Sequence, residues 1–160
     1  MTRDYINRAG NAIHHAFGQV TALFDSYRAH YGQQPSPQLT SGWLHNQLTH
    51  HRITIAAALD DGQTCGFITT TVMPASLMLG TAWSIRDLYV TPQRRHAGIA
   101  RNLIQHVVNQ ARSVGAHRVS LQTEAANTAA LTLYAAVGFQ RVSDLETLNL
   151  TLTPGSHQNS

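Results

Sequence analysis

The sequence has 160 residues, 42% of them hydrophobic, with 11 arginines and no lysine against 8 acidic residues, for a formal charge of +3. This is enough chain to bury the core of one domain, and its single cysteine, Cys65, excludes an internal disulfide and a cysteine-built metal site. The positive surplus is too dispersed for a nucleic-acid-binding face. No apolar run suits a membrane span or a secretory signal. We therefore expect a cytoplasmic protein that binds neither nucleic acid nor a membrane.

The first third of the chain predicts mainly helix. A short edge strand at 5–8 is followed by an amphipathic helix that ends near Gly32. The apolar residues at helical spacing are Ile13, Phe17, Val20, Leu23, Phe24 and Tyr27. Two prolines within 33–41 indicate a loop, and apolar residues at 43–48 predict a second short helix.

The hydrophobic period then changes to that of a sheet. Alternation at 53–59 predicts a strand, the turn sequence Asp60-Asp61-Gly62 predicts a hairpin, and the β-branched run at 65–73 predicts the returning strand. A connecting loop is expected from Pro74 to Gly80. Another strand at 82–90 follows, which makes the sheet a meander.

The strongest helical pattern begins at Gly98. One face is apolar over 99–114, and Gly115 stands where a left-handed C-cap is expected. The remaining predicted elements are a strand at 117–123, a helix at 127–137 closed by Gly138, and a last strand or hairpin pair at 139–152. No repeat marks a second domain, so we expect one domain over 1–153 and a disordered tail over 154–160.

The loop that joins the strand at 82–90 to the helix at Gly98 is the segment most suited to chemistry. The first N–H groups of a helix have no internal partners, and the helix dipole adds about half a positive charge there, so such a turn can hold phosphate. Ala97, Gly98 and Ala100 are small, and Arg94, Arg95 and Arg101 add positive charge. Neither a nucleoside-triphosphate loop nor a dinucleotide fingerprint is present. By itself, the turn either binds phosphate or simply connects two elements.

Two spaced blocks of sequence carry a resemblance to a known family. The first is Asp87-Leu88-Tyr89-Val90 followed by the segment 93–100, which matches Gln/Arg-x-x-Gly-x-Gly/Ala. The second, over 121–139, matches Thr-Glu-x-x-Asn-x-x-Ala-x-x-Leu-Tyr-x-x-x-Gly-Phe in order and spacing. Together they resemble the GNAT superfamily of N-acetyltransferases.

The resemblance implies an α/β (α+β) fold with a mixed, mostly antiparallel sheet of about six to seven strands, flanked by about four helices and splayed between its two central strands. Acetyl-CoA is the implied cosubstrate in that opening. Its pantetheine arm would pair with the main chain of Leu88, Tyr89 and Val90. Its pyrophosphate would lie on Arg95, His96, Ala97, Gly98, Ile99, Ala100 and Arg101, with Asn127 and Tyr134 lining the thioester end. No metal is expected, because the ten histidines lack zinc-site spacing.

Acetyl transfer to an amine places negative charge first on an oxyanion and then on the departing thiolate. We expect the Val90 amide to stabilise the oxyanion and the Tyr134 hydroxyl to act as general acid; Tyr134 is otherwise a packing aromatic. Asp87 and Glu124 are the candidate bases, each with a structural role as the alternative. Some relatives that acetylate polyamines have a glutamate where this chain has Arg86, so the acceptor class stays open.

Acceptor recognition is expected outside the two blocks. Tyr27, Tyr31 and Trp83 are the candidate substrate residues, with ordinary core packing as the alternative. The acceptor would be an amine of a small molecule, peptide or protein. A catalytically silent acyl-CoA-binding regulatory module is the rival function, and a nucleic-acid binder is disfavoured for want of a contiguous basic face. Pairing through the last strands would give a homodimer.

Overall fold

The computed structural model describes residues 5–7 and 14–152, and its sheet has the strand order β1-β2-β3-β4-β5. The elements are β1 (Tyr5–Asn7), α1 (His14–His30), α2 (Pro37–Thr49), β2 (Thr54–Asp60), β3 (Gln63–Ala75), β4 (Gly80–Val90), α3 (Ile99–Ser113), β5 (Arg118–Leu121) and α4 (Thr128–Val137). Neighbouring strands are antiparallel except for the parallel pair β4 and β5. The mixed, mostly antiparallel sheet with four helices is confirmed. Ile13 and the predicted tail at 154–160 lie outside the described residues.

Helices cover both faces of the sheet. On one face, Leu23 and Phe24 of α1 and Leu44 of α2 pack against Phe67 of β3. On the other face, α3 buries Ile99, Leu103, Ile104 and Val107 against the sheet, with α4 packed behind. Because β3 is covered on both sides, the run 65–70 is buried throughout instead of alternating.

The turn between β2 and β3 has the predicted conformation. Asp61 and Gly62 have φ angles of 49° and 76°, which is the left-handed backbone that a two-residue hairpin of this twist requires. The predicted loop from Pro74 to Gly80 is shorter than expected, because β3 runs on to Ala75. Pro74 pairs opposite Thr81 in a part of β3 that β2 does not reach, so no hydrogen bond to its missing N–H is lost.

The second helix begins at Pro37, inside the segment predicted as loop. Proline is well suited to the first position of a helix. The helix start is also fixed by Asp25 of α1, whose carboxylate accepts hydrogen bonds from the Ser36 N–H at 3.1 Å and from Thr40 Oγ1 at 2.6 Å. Those two hydrogen bonds lower the pKa of Asp25, with the Thr40 hydroxyl contributing most. Asp25 therefore clamps α1 to the start of α2.

A bulge interrupts the pairing of β3 with β4. Thr70 pairs with Ile85, but the preceding Thr69 pairs with Asp87, so Arg86 is an extra residue on β4. Since side chains alternate along a strand, the extra residue reverses which face the following positions address. Ile85 packs into the core beneath α3, whereas Asp87 turns toward α1 and bonds to it.

The sheet opens between its last two strands. β5 pairs with β4 only over Ala82–Ile85, and β5 itself ends at Leu121. Within the described residues, 86–90 of β4 therefore have no strand partner on that side. The predicted opening is confirmed, although β5 is an edge strand and not a central one.

The final strand or hairpin pair expected at 139–152 is not formed. The structure describes this segment without a strand, so the described part of the sheet has five strands and not six to seven. Its apolar side chains are 68–88% exposed: Val142, Leu145, Leu148, Leu150 and Leu152. They pack against no sheet face, and an extended segment needs such burial to be stable as a strand. One side-chain hydrogen bond, from Gln122 Nε2 to Thr147 Oγ1 at 3.3 Å, ties the segment to the rest.

Candidate active site

The backbone turn that leads into α3 is the candidate phosphate-binding segment. His96 and Gly98 have φ angles of 60° and 76°, and the helix begins after Gly98 without a side-chain cap. The first N–H groups of an α-helix have no partner within the helix, so they are available to an anion. A Cβ added to Gly98 would meet no atom within 4 Å, so the space in front of it is open. This turn has the shape and polarity to hold phosphate oxygens.

An ion pair fixes the outer side of this loop. Arg94 Nη1 lies 2.6 Å from Asp60 Oδ2, and the Asp60 side chain is only 11% exposed at the end of β2. The contact ties the loop to the β2–β3 hairpin. Arg94 was expected to add charge for phosphate, but its charge is already paired with Asp60, so its contribution is to the shape of the loop.

The other two arginines of the loop behave differently from each other. Arg95 folds back: its Nε donates to the Val90 carbonyl at 3.2 Å, and its guanidinium lies 5.8 Å from the centre of the Tyr89 ring. The Arg101 side chain is exposed on the first turn of α3 and makes no hydrogen bond or ion pair to the described residues. Of the three, Arg101 has the charge best placed to meet an incoming anion.

Close packing brings the end of β4 against the start of α3. A Cβ at Gly66 of β3 would lie 3.0 Å from the Tyr89 carbonyl oxygen and 3.2 Å from side-chain atoms of Ile99 and Val90. Any larger residue at Gly66 would push these elements apart. Gly66 thus sets the distance between the open edge of β4 and the phosphate-binding turn, and no sequence pattern had singled it out.

Tyr134 lies on α4, the helix that follows β5, and packs against the core cluster beneath α3. Asn127 caps that helix, with its Oδ1 accepting a 3.1 Å hydrogen bond from the Ala130 N–H. The half-buried Tyr134 ring packs edge-on against Phe139 at 6.0 Å. Burial raises the pKa of Tyr134, and the phenol of Tyr31 adds to the rise. Its hydroxyl makes no hydrogen bond to the described residues, so among them it is a protonated donor without a partner.

The two candidate bases have different surroundings. Asp87 is half-buried, and its oxygens accept hydrogen bonds from Tyr27 at 2.9 Å and from the Thr69 hydroxyl. Glu124 is exposed in the connection from β5 to α4, where its backbone carbonyl accepts from the Asn127 N–H. Thr69 was not predicted as a site residue, because a threonine inside a β-branched strand gives no signal in the sequence.

The predicted substrate residues separate into two places. Tyr27 and Tyr31 lie together on α1, with ring centres 5.1 Å apart, and Tyr27 also contacts Tyr89 at 5.8 Å. Trp83 packs instead against the core cluster on the opposite face of the sheet. Its indole N–H is buried without a hydrogen-bond partner in the described part of the chain. Tyr27 and Tyr31 stay candidates for acceptor contact. Trp83 packs in the core, which was the alternative role given for it.

Residues 5–7 and 14–152 contain neither a candidate metal centre nor a helix suited to span a membrane. No group of three or more His, Cys, Asp or Glu side chains there is arranged to hold a metal ion. None of the helices in those ranges combines the length and apolar character needed to cross a membrane.

Comparison with known proteins places these features in context. A model of the acetyltransferase (GNAT) family matches residues 19–139. The uncharacterized N-acetyltransferase YhfO of Bacillus subtilis is 29% identical over 121 residues, which are 76% of this chain and 81% of YhfO.

Solved structures share the same architecture. A crystal structure of a probable acetyltransferase has a TM-score of 0.85 and 25% identity, over 97% of this chain and 100% of that chain. An aminoglycoside acetyltransferase from an uncultured soil metagenomic sample, solved in complex with sisomicin, has a TM-score of 0.76 at 19% identity. That alignment covers 94% of this chain and 97% of the other, and it shows a common fold.

Proposed function

We propose, since the chain belongs to the acetyltransferase (GNAT) family, that it transfers the acetyl group of acetyl-CoA to a primary amine by direct attack in a ternary complex. The family match confirms the predicted resemblance and makes the chain an acyltransferase, with acetyl-CoA as the cosubstrate that the family implies. One observation carries the proposal. The edge of β4 over 86–90, with which no described strand pairs, leads through the loop at 91–98 into the start of α3, which has no side-chain cap.

Each half of that feature suits one part of coenzyme A. An unpaired strand edge can accept the amide groups of the pantetheine arm as if they were another strand, and the main chain of Leu88, Tyr89 and Val90 is the stretch we assign to it. The uncapped start of a 15-residue helix stabilises a diphosphate through its free N–H groups and its dipole. We assign the diphosphate to the backbone of 95–101, with the exposed Arg101 as the nearby cation.

The reaction forms one bond and breaks one. The neutral amine nitrogen bonds to the thioester carbon, the oxyanion collapses, and the carbon–sulfur bond breaks with both electrons passing to sulfur. We assign the oxyanion to the Val90 amide and the sulfur to the Tyr134 hydroxyl. The raised pKa of Tyr134 keeps it protonated at neutral pH. Because a raised pKa also weakens the acid, the phenol first stabilises the developing thiolate by a hydrogen bond and then completes the transfer.

The proton lost by the amine needs an acceptor. Each oxygen of Asp87 already accepts a hydrogen bond from a hydroxyl, so this carboxylate is held as part of the contact between α1, β3 and β4. Glu124 has an exposed carboxylate with no such partners in the described residues. We therefore assign the base to Glu124 acting through water, with direct loss to solvent as the alternative.

Calorimetry and a thiol-release assay test the proposal together. We expect the purified chain to bind both coenzyme A and acetyl-CoA, and to release thiol from acetyl-CoA when amines are added. The panel should contain polyamines, amino acids, aminoglycosides and peptides. Failure to bind either form of the coenzyme would refute the proposal. Tight binding with no thiol release across the panel would favour the silent regulatory module, for which an unpartnered Tyr134 hydroxyl has no use.

A further inference from the structure

We propose that the acceptor binds as an ammonium ion in a subsite formed by Asp87, Tyr27 and Tyr31, with Asp87 serving as an electrostatic anchor and not as the proton acceptor. This inference rests on the proposed function, because it describes the acceptor of that reaction. It adds a ligand class, since such a subsite would also bind alkylammonium ions that carry no acetylatable nitrogen.

Among the described residues, no cationic side chain is paired with the Asp87 carboxylate. It is half-buried, and its hydrogen-bond donors are the neutral hydroxyls of Tyr27 and Thr69. The ion pairs of the described residues involve other carboxylates, those of Asp25 and Asp60. Removing a carboxylate from water without a compensating cation costs free energy. An incoming ammonium would supply that compensation.

The carboxylate still has room for such a ligand. A carboxylate has about four lone-pair positions, and the two hydroxyls use one on each oxygen. An ammonium N–H can therefore bond to Asp87 without displacing either hydroxyl. The Tyr27 oxygen, which donates its proton to Asp87, can itself accept a second N–H. The pair offers a cation at least two acceptors.

Aromatic rings border the same carboxylate. The rings of Tyr27 and Tyr31 meet at 69° with centres 5.1 Å apart, and Tyr31 is 58% exposed. A cation within about 6 Å of such a ring is attracted by its electron-rich face. On the neighbouring Tyr89, the protein already uses this attraction, since Arg95 lies over that ring at 5.8 Å. The exposed Tyr31 is the ring left for a cation from solution.

Packing holds the subsite in place before any ligand arrives. The Tyr27 ring contacts Phe24 at 5.5 Å and Phe67 at 5.6 Å, and Thr69 is fully buried. Burial and the Asp87 carboxylate raise the pKa of Tyr27 well above its ordinary value, so the phenol stays a donor to Asp87. A preorganised group of this kind loses little entropy when it binds a ligand.

The subsite is also within electrostatic reach of Tyr134, the residue assigned as general acid. The phenols of Tyr27 and Tyr31 interact electrostatically with that of Tyr134 on α4. Two other charged or titratable groups lie against this group of rings: His30, edge-on to Tyr31 at 5.2 Å, and Arg95 over Tyr89. An ammonium held by Asp87 would thus be close to the general acid. The proton that the ammonium loses would pass to Glu124 through water.

Choline and its uncharged isostere dimethylbutanol give a direct test. They have the same shape, choline has no acetylatable nitrogen, and the titration is done without acetyl-CoA on protein saturated with coenzyme A. We expect choline to shift the NMR signals of the Tyr27 and Tyr31 rings and to bind about tenfold more tightly than dimethylbutanol. Asp87→Asn should remove this preference. Asp61→Asn, a matched loss of charge on the exposed β2–β3 turn, should keep it.

Two further variants test the subsite even if Asp87→Asn prevents folding. Tyr31→Leu alters an exposed side chain, and Tyr27→Phe keeps the packed ring, so both should fold; each should weaken choline binding several-fold. Equal affinity for choline and dimethylbutanol in the wild type, or unchanged choline affinity in both tyrosine variants, overturns the inference.

Calorimetry with acetyl-CoA on the same samples separates the two proposals. Normal coenzyme binding without choline preference refutes the subsite alone, whereas absent coenzyme binding refutes the proposed function.

Discussion

The Tyr27 hydroxyl donates a 2.9 Å hydrogen bond to Asp87 Oδ1, joining α1 to β4 across 60 positions of sequence. The bond exists because the bulge at Arg86 turns Asp87 toward α1. One contact therefore connects α1, which lies outside the two family sequence blocks, with β4. The open edge of β4 begins at this same bulge.

Removing that hydroxyl should affect stability and acceptor binding together. Tyr27→Phe deletes a donor to a half-buried carboxylate, so we expect a loss of about 1–2 kcal/mol in the free energy of unfolding. The KM for the amine should rise with a smaller change in kcat. Urea denaturation and steady-state kinetics measure the two effects. Tyr31→Phe, which removes an exposed hydroxyl, is the stability control and should stay within about 0.5 kcal/mol of wild type.

Tyr134→Phe tests the general acid. We expect kcat to fall by roughly 10²–10⁴, while calorimetry gives an unchanged affinity for acetyl-CoA. The protonated phenol is the active form, and burial raises its pKa above the ordinary 10.0, so the alkaline fall in wild-type kcat should lie above that pH. A Phe variant with full kcat would rule out proton donation by this residue.

Gly98 and Gly115 offer a matched pair for the phosphate turn. Both have left-handed φ angles, 76° and 72°, and open space where a Cβ would go, but they stand at opposite ends of α3. Alanine at either position should cost about 1 kcal/mol of stability from backbone strain. Only Gly98→Ala should also weaken coenzyme binding, by about tenfold as the amides shift. Equal coenzyme affinities in the two variants would contradict the assignment of this turn to the diphosphate.

The Arg94–Asp60 ion pair should act on coenzyme affinity through the shape of the loop. We expect Asp60→Asn to raise the Kd for acetyl-CoA several-fold and to leave kcat at saturation unchanged, because neither residue touches the reacting atoms. Asp61→Asn, at the adjacent exposed carboxylate, is the control. In a double-mutant cycle, additive effects of Asp60→Asn and Arg94→Gln on Kd would show that the two side chains act independently. The ion pair would then not be the cause of the change in coenzyme affinity.

Asp25 should make stability depend on pH. Its pKa is lowered in the folded protein by Thr40 and Ser36, from an ordinary 3.8. A group of this kind stabilises the fold above its unfolded pKa, and the contribution is lost as pH falls through the lower folded pKa. The destabilisation caused by Asp25→Ala should therefore be full at neutral pH and shrink below about pH 4. Urea denaturation across that range measures it, and a pH-independent difference would exclude a role for the charge.

Elements with local signals were predictable from the sequence. The apolar face of α3, the turn at Asp61 and Gly62, and the glycine that ends α4 all depend on neighbours within one or two turns of chain. The family pattern added the opening beside β4, which no periodicity shows.

Features that depend on distant partners were not predictable. The start of α2 is set by Asp25, and the strand assignment of Pro74 is set by where β2 begins. The contact of Thr69 with Asp87 exists only because a bulge shifts the register of β4. At 148–152 the alternation of leucines is typical of a strand, but the described structure gives it no surface to cover.

The bulge also lets β4 carry one extra residue without changing which face the later residues address. The Arg86 side chain is exposed, so exchanging it for another polar residue should be tolerated. If Arg86 instead paired regularly opposite Thr69, the two-residue repeat would send Asp87 into the apolar layer and Val90 out of it. Loss of the bulge at unchanged chain length would thus dismantle the acceptor side and the coenzyme side at once.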